Sequence, residues 1–108
     1  MTPNCNDHGA CPSSALSPEQ ARSAYALINP NWVLDFSGPV AKITRDFIFG
    51  TYKEALDFTN KVALIADAEN HHPEITLAFK KVRVEYWTHN ARGLTHMDFS
   101  AAHKIDNL

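Results

Sequence analysis

The sequence predicts an α+β domain in which three helices pack on one face of a four-stranded antiparallel sheet. Stretches of helical periodicity and stretches of strand alternation follow one another in the order α-β-β-α-β-β-α. The two strands of each pair are joined by only a few residues, which favours antiparallel neighbours. A sheet of this kind buries one face, so the helices are expected to collect on that side.

Length and composition suit a single globular domain. The chain has 108 residues, of which 44% are hydrophobic, enough for one core with little to spare. Its net charge of -2 gives no overall positive field that would attract nucleic acid or an anionic membrane. No apolar run approaches the roughly 18 residues of a membrane span, and the N-terminus lacks the layout of a signal peptide. We therefore expect a cytoplasmic protein that binds neither nucleic acid nor membranes.

The N-terminal stretch has the composition of a flexible tail. Residues 1–16 are rich in Pro, Ser, Asn, Gly and Asp, and the folded domain is expected to cover residues 17–108. Both cysteines, Cys5 and Cys11, lie in this tail with His8 between them. Three ligands fall short of the four that a structural zinc site uses, so we expect no metal there.

The first half of the chain predicts a helix and a pair of strands. Ser17 can cap a helix over about 18–28, and Pro18 suits its first position. Alternation of apolar and polar residues then predicts strands over 32–36 and about 40–49, separated by a Ser-Gly-Pro turn. These elements account for the first α-β-β unit.

The second half repeats this order and adds a last helix. Thr51, with Glu three residues later, has the spacing of a capping box ahead of a helix over about 52–69. Thr95 opens the last helix, which is expected to run to about Asp106. The strands between these helices are predicted at 74–79 and 82–88.

The hairpin between the last two strands determines which histidines meet. We take Lys80-Lys81 as its loop, although this pair lacks the Gly or Asn that a two-residue turn favours. His72 then falls opposite His89, and directly opposed residues lie roughly 4.5–5.5 Å apart. His71 precedes His72 at the end of the long helix. Three imidazoles are therefore predicted to converge at one end of the sheet.

Carboxylates and tryptophans surround the predicted histidine cluster. Asp67 lies one helical turn before His71, on the same face if the helix persists that far. Asp98 follows the turn at Gly93, nine residues after His89. The candidates for a flat apolar wall are Trp32 and Trp87, although tryptophan is more often a core residue.

The histidine cluster has more than one explanation. Histidines at the end of a helix interact well with the helix dipole and need have no other role. Convergence favours catalysis instead, because neighbouring imidazoles resist holding two protons and so offer one acid and one base. A His/Asp metal site and a non-catalytic interaction protein, pairing through an open sheet edge, are the alternatives.

The pattern of these residues resembles the pterin-4a-carbinolamine dehydratase family. The matching positions are Asp67, His71-His72-Pro73, His89 and Asp98. The match extends to Phe58-Thr59-Asn60, Trp87-Thr88-His89 and Gly93-Leu94, and it covers about residues 17–107. Asp67 departs mildly from the family pattern, which often has Glu at this position.

The resemblance implies a hydro-lyase. Its reaction dehydrates a 4a-hydroxytetrahydropterin, such as 4a-hydroxytetrahydrobiopterin, to quinonoid dihydropterin and water. This step belongs to tetrahydropterin recycling and tetrahydrobiopterin biosynthesis, and it uses neither a metal nor a cofactor. An aromatic amino acid hydroxylase is one candidate for the pathway partner, and the sequence leaves that choice open. Family members are typically homodimers or homotetramers. Some also act as a dimerisation cofactor of a homeodomain transcription factor, which keeps a non-catalytic interaction role as the alternative.

The implied reaction needs both an acid and a base, because a hydroxyl leaves C4a and a proton leaves N5. The unperturbed pKa of histidine, roughly 6.5, suits both tasks near neutral pH. We expect His71 and His89 to transfer protons and His72 to hold the pterin, with the assignment of acid and base left open. Asp67 and Asp98 are expected to orient imidazoles or to hold a ring N–H.

Overall fold

The order of helices and strands follows the prediction. The computed structural model describes residues 14–108. Its elements are α1 (Pro18–Tyr25), β1 (Val33–Asp35), β2 (Lys42–Ile48), α2 (Tyr52–Glu69), β3 (Glu74–Leu77), β4 (Lys81–Tyr86) and α3 (His96–Asp106). Within residues 14–108 this order and the antiparallel pairing of the strands confirm the predicted fold class. The predicted tail residues Cys5, His8 and Cys11 lie outside the described residues.

The sheet has the strand order β1-β2-β4-β3. The chain leaves β2, runs through α2 and returns at the edge strand β3, and the hairpin then brings β4 back between β3 and β2. β2 and β4 form the longest ladder, from Ile43 opposite Tyr86 to Ile48 opposite Lys81. β4 is thus paired on both sides, and the residues that follow it emerge from the middle of the sheet.

One face of the sheet carries the core. Val82, Val84 and Tyr86 of β4 are fully buried and alternate with more exposed residues, as the two-residue period of a strand requires. With Ile43 of β2 they pack against buried residues of the helices. Those helical residues are Ala21, Ala24, Ala55, Val62, Phe99, Ala101, Ala102 and Ile105.

The helices begin at the capping residues that the sequence predicts. The side chains of Ser17 and Thr51 each accept a hydrogen bond from a backbone N–H three residues further on, at the start of α1 and α2. Thr95 caps α3, and the carboxylate of Asp98 accepts from the backbone N–H of Thr95. This reciprocal cap fixes Asp98 in the first turn of α3. No helix of the described chain is both long and apolar enough to cross a membrane.

The hairpin between β3 and β4 differs from the predicted one. The sequence predicts Lys80-Lys81 as its loop, which would place Leu77 opposite Val84. In the structure Leu77 pairs with Val82, two residues earlier in β4. The prediction is wrong because Lys81 belongs to the ladder with β2 and Lys80 is bonded to the residue that follows β2. The C=O of Lys80 accepts a hydrogen bond from the N–H of Phe49 (2.8 Å), and Lys81 pairs with Ile48.

The difference between the predicted and the observed hairpin register changes one predicted contact of the site, but it leaves every side chain on its predicted face of the sheet. Because side chains alternate with a period of two, a shift of two residues keeps each of them on its predicted face. The position opposite His72 changes, however, and the observed register extended outwards brings Trp87 there instead of His89. The prediction that His72 faces His89 is therefore wrong.

The residues just before α1 pack against the rest of the domain. The N–H of Leu16, which the sequence analysis assigned to the tail, donates to the C=O of Leu94 (2.8 Å). Gly93 permits this contact, because a Cβ at that position would lie 2.8 Å from the Cβ of Ala15. The segment before α1 is therefore packed against the loop that leads into α3.

Candidate active site

His71 turns into the protein where α2 ends. The cap of α2 is Asn70, whose φ of 53° lies in the left-handed region, which Asn adopts more readily than most residues. The N–H of His71 then donates to the C=O of Ala66 (3.2 Å), and the His71 side chain is only 4% exposed. His72 is exposed. Two adjacent histidines thus have opposite environments.

The His71 ring is held by a buried carboxylate. Its Nε2 lies 2.6 Å from Oδ1 of Asp98, which is fully buried. A carboxylate only accepts hydrogen bonds, so Nε2 carries the proton and donates it. The second ring nitrogen, Nδ1, has no hydrogen-bond partner among residues 14–108. The arrangement leaves Nδ1 as the nitrogen of His71 that can exchange a proton.

The second oxygen of Asp98 is held by two threonines. Its Oδ2 accepts from the hydroxyl of Thr88 and from the backbone N–H of Thr95, both at 2.9 Å. The hydroxyl oxygens of these two threonines lie 2.7 Å apart. Thr88 and Thr95 are buried, so their hydrogen bonds are shielded from water. Both oxygens of Asp98 therefore have partners, as a buried charge requires.

Tyr86 supports the other side of the His71 ring. The two rings are stacked, with centroids 5.3 Å apart and planes 28° apart, and the Tyr86 hydroxyl donates to the backbone C=O of His71 at 3.4 Å. Burial raises the pKa of Tyr86 far above its ordinary value, and the negative charges of Asp98 and Glu69 raise it further. Tyr86 is therefore a neutral donor that fixes both the ring and the backbone of His71.

A second, exposed group lies at the end of β4. The rings of Trp87 and His89 have centroids 4.8 Å apart; Trp87 is half-buried and His89 is exposed. Thr88, between them, points the opposite way towards Asp98. Backbone hydrogen bonds join Thr88 and Gly93 in both directions (2.9 and 3.4 Å) and close the turn that carries His89.

The three histidines are not bonded to one another. Within residues 14–108, no hydrogen bond or ring contact joins His71, His72 and His89. The structure brings His71 to Asp98 and His89 to Trp87. The two groups are nevertheless connected through the backbone of Thr88, whose side chain belongs to the first group and whose neighbours form the second.

The remaining predicted site residues have different positions. Asp67 lies on the exposed surface of α2. The left-handed cap ends the helix before His71, so the two residues do not share a helical face. Trp32 is fully buried, and its Nε1–H donates to both carboxylate oxygens of Asp106 (2.9 and 3.0 Å). A fully enclosed indole offers no surface to a ligand, so the structure does not support Trp32 as a wall of the site.

Three buried residues around Asp98 and His71 were not predicted as site residues; they are Tyr86, Thr88 and Thr95. Thr88 has the parity of the buried β4 residues, and a polar residue on a core-facing position must find a hydrogen-bond partner. That signal could have identified Thr88. The role of Tyr86 could not be predicted, because its contact with His71 depends on how the chain turns after α2.

Two cavities of the described chain lie elsewhere. One, of about 650 Å³, lies between α1 and α3 and is lined by residues that include Leu27 and Phe99. The other, of about 500 Å³, includes Arg45 and Phe58. Neither is lined by His71, so we identify the candidate site by its buried acid–base pair. In residues 14–108 no group of three or more His, Cys, Asp or Glu side chains could hold a metal ion.

Comparison with known proteins identifies the family. A family model described as Pterin 4 alpha carbinolamine dehydratase matches residues 14–108. The chain belongs to this family. It is 38% identical over 105 residues to a protein of Hahella chejuensis provisionally named pterin-4-alpha-carbinolamine dehydratase, and the match covers 96% of this chain and 91% of that protein. The resemblance inferred from the residue pattern is confirmed.

Solved structures share the fold of this pterin dehydratase family member. A crystal structure described as a transcriptional coactivator/pterin dehydratase from Brucella melitensis has a TM-score of 0.78 and 29% identity, covering 87% of this chain and 97% of that one. A pterin dehydratase-like protein identified as a RuBisCO assembly factor in the alpha-carboxysome has a TM-score of 0.60 and 18% identity, covering 71% and 87%. At that identity the second likeness concerns the fold alone.

Proposed function

We propose that this protein dehydrates 4a-hydroxytetrahydropterin, with tetrahydrobiopterin or a related pterin as the parent compound, to quinonoid dihydropterin and water. The observation that carries the proposal is the buried His71 imidazole, held 2.6 Å from Asp98 in a chain of the pterin 4 alpha carbinolamine dehydratase family. A buried ring with one nitrogen fixed by a carboxylate is suited to controlled proton transfer.

The reaction requires two proton transfers in opposite directions. One imidazole removes the proton of N5, and another protonates the C4a hydroxyl, which then leaves as water. We assign these transfers to His71, through Nδ1, and to the exposed His89. His72 is exposed beside His71 and is proposed to hold the pterin. The two transfers balance without a redox step, because the substrate loses only the elements of water.

Three further side chains are given supporting roles. Trp87 is half-buried beside the His89 ring and is proposed as the flat apolar surface for the pterin. Asp98 orients His71. Asp67 is exposed on α2 and is proposed to hold a ring N–H of the pterin. We propose no role for the enclosed Trp32 in ligand binding.

Kinetics test the proposal directly. Because 4a-hydroxytetrahydropterin also dehydrates spontaneously, its decay is followed with and without the protein. Acceleration by the wild type that is lost in both His71→Ala and His89→Ala supports the assignment. His103→Ala, which removes an exposed histidine of α3, is the matched control and should retain the wild-type rate. A folded wild-type protein that gives no acceleration would overturn the proposed function, and activity that is lost on treatment with a chelator would overturn the metal-free mechanism.

We further propose that the protein is a cytoplasmic homodimer or homotetramer that acts beside an aromatic amino acid hydroxylase. Exposed apolar side chains at several places support self-association; they are Ile48, Tyr52, Leu56, Leu64 and Phe79. Among the described residues β3 pairs on one side only, so its other edge is a further surface for pairing. Light scattering across a range of protein concentrations measures the assembly, and a monomer at micromolar concentration would contradict it.

A non-catalytic interaction role is the second candidate. The same exposed apolar residues favour it, and the name of the Brucella melitensis structure joins coactivator and dehydratase. The two functions separate by mutation. Under the interaction role, Leu64→Glu abolishes partner binding while His71→Ala does not, and no dehydration is accelerated.

A further inference from the structure

The hydrogen bonds behind His71 form a chain of donors that all point towards Asp98. The backbone N–H of Met97 donates to Oγ1 of Thr95 (3.3 Å), and Oγ1 of Thr95 lies 2.7 Å from Oγ1 of Thr88. Oγ1 of Thr88 lies 2.9 Å from Oδ2 of Asp98. Thr88, Thr95 and Asp98 are each at most 2% exposed, so water does not compete for these bonds.

The direction of each hydrogen bond follows from the number of protons available. A carboxylate has none to give, so the bond between Thr88 and Asp98 uses the single hydroxyl proton of Thr88. The contact between the threonines must then use the hydroxyl proton of Thr95. Two donors therefore converge on Oδ2 of Asp98, the Thr88 hydroxyl and the Thr95 N–H. Oδ1 is left to accept from His71.

We propose that Thr88 is a positioning residue, whose hydroxyl orients Asp98 so that His71 is held in the Nε2–H tautomer with Nδ1 free to exchange protons. Without this donor the carboxylate would have fewer partners in a site closed to water. Asp98 could then rotate or take up a proton, and His71 would lose its fixed tautomer. The effect on catalysis rests on the proposed function, whereas the effect on the tautomer does not.

The tautomer is measured by ¹⁵N NMR of the His71 ring at mildly alkaline pH, where protonated and unprotonated ring nitrogens resonate far apart. Wild type and Thr88→Ser, which keeps the hydroxyl, should show Nε2–H. Thr88→Val, which keeps the shape but removes the hydroxyl, should show a mixture of tautomers. Thr44→Val is the matched control, because Oγ1 of Thr44 is buried in the same sheet and has no hydrogen-bond partner within residues 14–108; it should resemble wild type.

The catalytic consequence is a selective loss of turnover. In Thr88→Val we expect kcat to fall at least about tenfold, the size of effect that supporting hydrogen bonds behind site histidines produce in metal sites. KM should stay within about twofold, because a residue with no exposed surface cannot touch the substrate. Thr88→Ser should restore most of kcat. A loss caused only by weaker folding would lower the active fraction in proportion to unfolding and would leave the tautomer unchanged.

The outcomes are distinguishable. A Thr88→Val protein that keeps the Nε2–H tautomer overturns the positioning role, whatever its activity. A changed tautomer with no dehydratase activity in the wild type supports the positioning role and overturns the proposed function. If Thr88→Val does not fold, Thr88→Cys replaces the hydroxyl with a weak donor of similar size; an unchanged tautomer and kcat in Thr88→Cys would also overturn the proposal.

Discussion

The two sides of β4 and the turn that follows it give the candidate site two different kinds of environment. On the core side, Thr88 reaches Asp98 and through it His71, all nearly or fully buried. On the other side, the Trp87 and His89 rings contact each other at the surface. The buried side has one defined arrangement of protons, and the exposed side is open to solvent. The difference indicates that burial and hydrogen bonds hold His71 in one orientation, whereas His89 stays accessible to a ligand.

The largest expected effect is on the buried side. Asp98→Ala removes the acceptor of three hydrogen bonds, from His71, Thr88 and the Thr95 N–H, and leaves buried donors unpaired. We expect a loss of about 3–5 kcal/mol in the free energy of unfolding, the range for breaking a buried pair, together with loss of activity. Urea denaturation measures it.

The control for that experiment is an exposed aspartate. Asp57 pairs with Lys53 on the surface of α2, with 54% of its side chain exposed. Asp57→Ala should change the free energy of unfolding by at most about 0.5 kcal/mol, because exposed pairs contribute little. Equal losses in the two variants would contradict the account of Asp98 as the centre of the buried network.

The next effect compares adjacent histidines. His71→Ala leaves Asp98 without its Oδ1 partner and removes a ring stacked on Tyr86, so a loss of about 2–3 kcal/mol is expected. His72→Ala removes an exposed ring and should cost about 0.5 kcal/mol or less. Thermal and urea unfolding of both variants provide the measurement. Similar stabilities would indicate that His71 is not enclosed in solution.

The smallest effect concerns Tyr86 and is clearest in alkaline solution. Burial raises the pKa of Tyr86 above its ordinary value of 10.0, so the unfolded chain loses this proton at a lower pH than the folded one. The stability linked to Tyr86 is therefore fully present below pH 10 and declines as the pH rises above it. Tyr86→Phe should lose about 1 kcal/mol at neutral pH and should lack this part of the alkaline decline.

Subtracting the unfolding free energies of Tyr86→Phe from those of wild type at each pH isolates the contribution of Tyr86. Tyr52, which is 48% exposed, supplies the control, and Tyr52→Phe should follow the wild-type curve. A Tyr86→Phe variant that declines as steeply as wild type above pH 10 would show that the hydroxyl is accessible to water.

The sequence allowed the fold to be predicted further than the site. Alternation along β4 and the capping residues Ser17, Thr51 and Thr95 are local signals, and the element order that they predict is confirmed. The register of the hairpin was not predictable in this way, because it depends on the pairing of Lys81 with β2, far away in the chain. The predicted faces of β3 and β4 are nevertheless correct, because the observed register differs from the predicted one by an even number of residues.

The arrangement of the site depends on contacts that local patterns do not contain. The meeting of His71 with Asp98 joins the end of α2 to the start of α3 and requires the left-handed cap at Asn70. The burial of Trp32 depends in the same way on Asp106 at the far end of α3. The residue pattern indicated the candidate site residues, but tertiary packing determines which of them are buried.

The alternation along β4 also limits how this protein can change its length during evolution. Insertion of one residue between Val84 and Trp87 would turn Thr88 towards solvent and bring Trp87 to the position that faces Asp98, which would remove the hydroxyl donor from the buried network in a single event. Two inserted residues would restore the faces, and a β-bulge could absorb one. Lineages that retain the buried network are therefore expected to gain or lose residues in this segment in even steps, or to compensate an odd step with a bulge before Thr88.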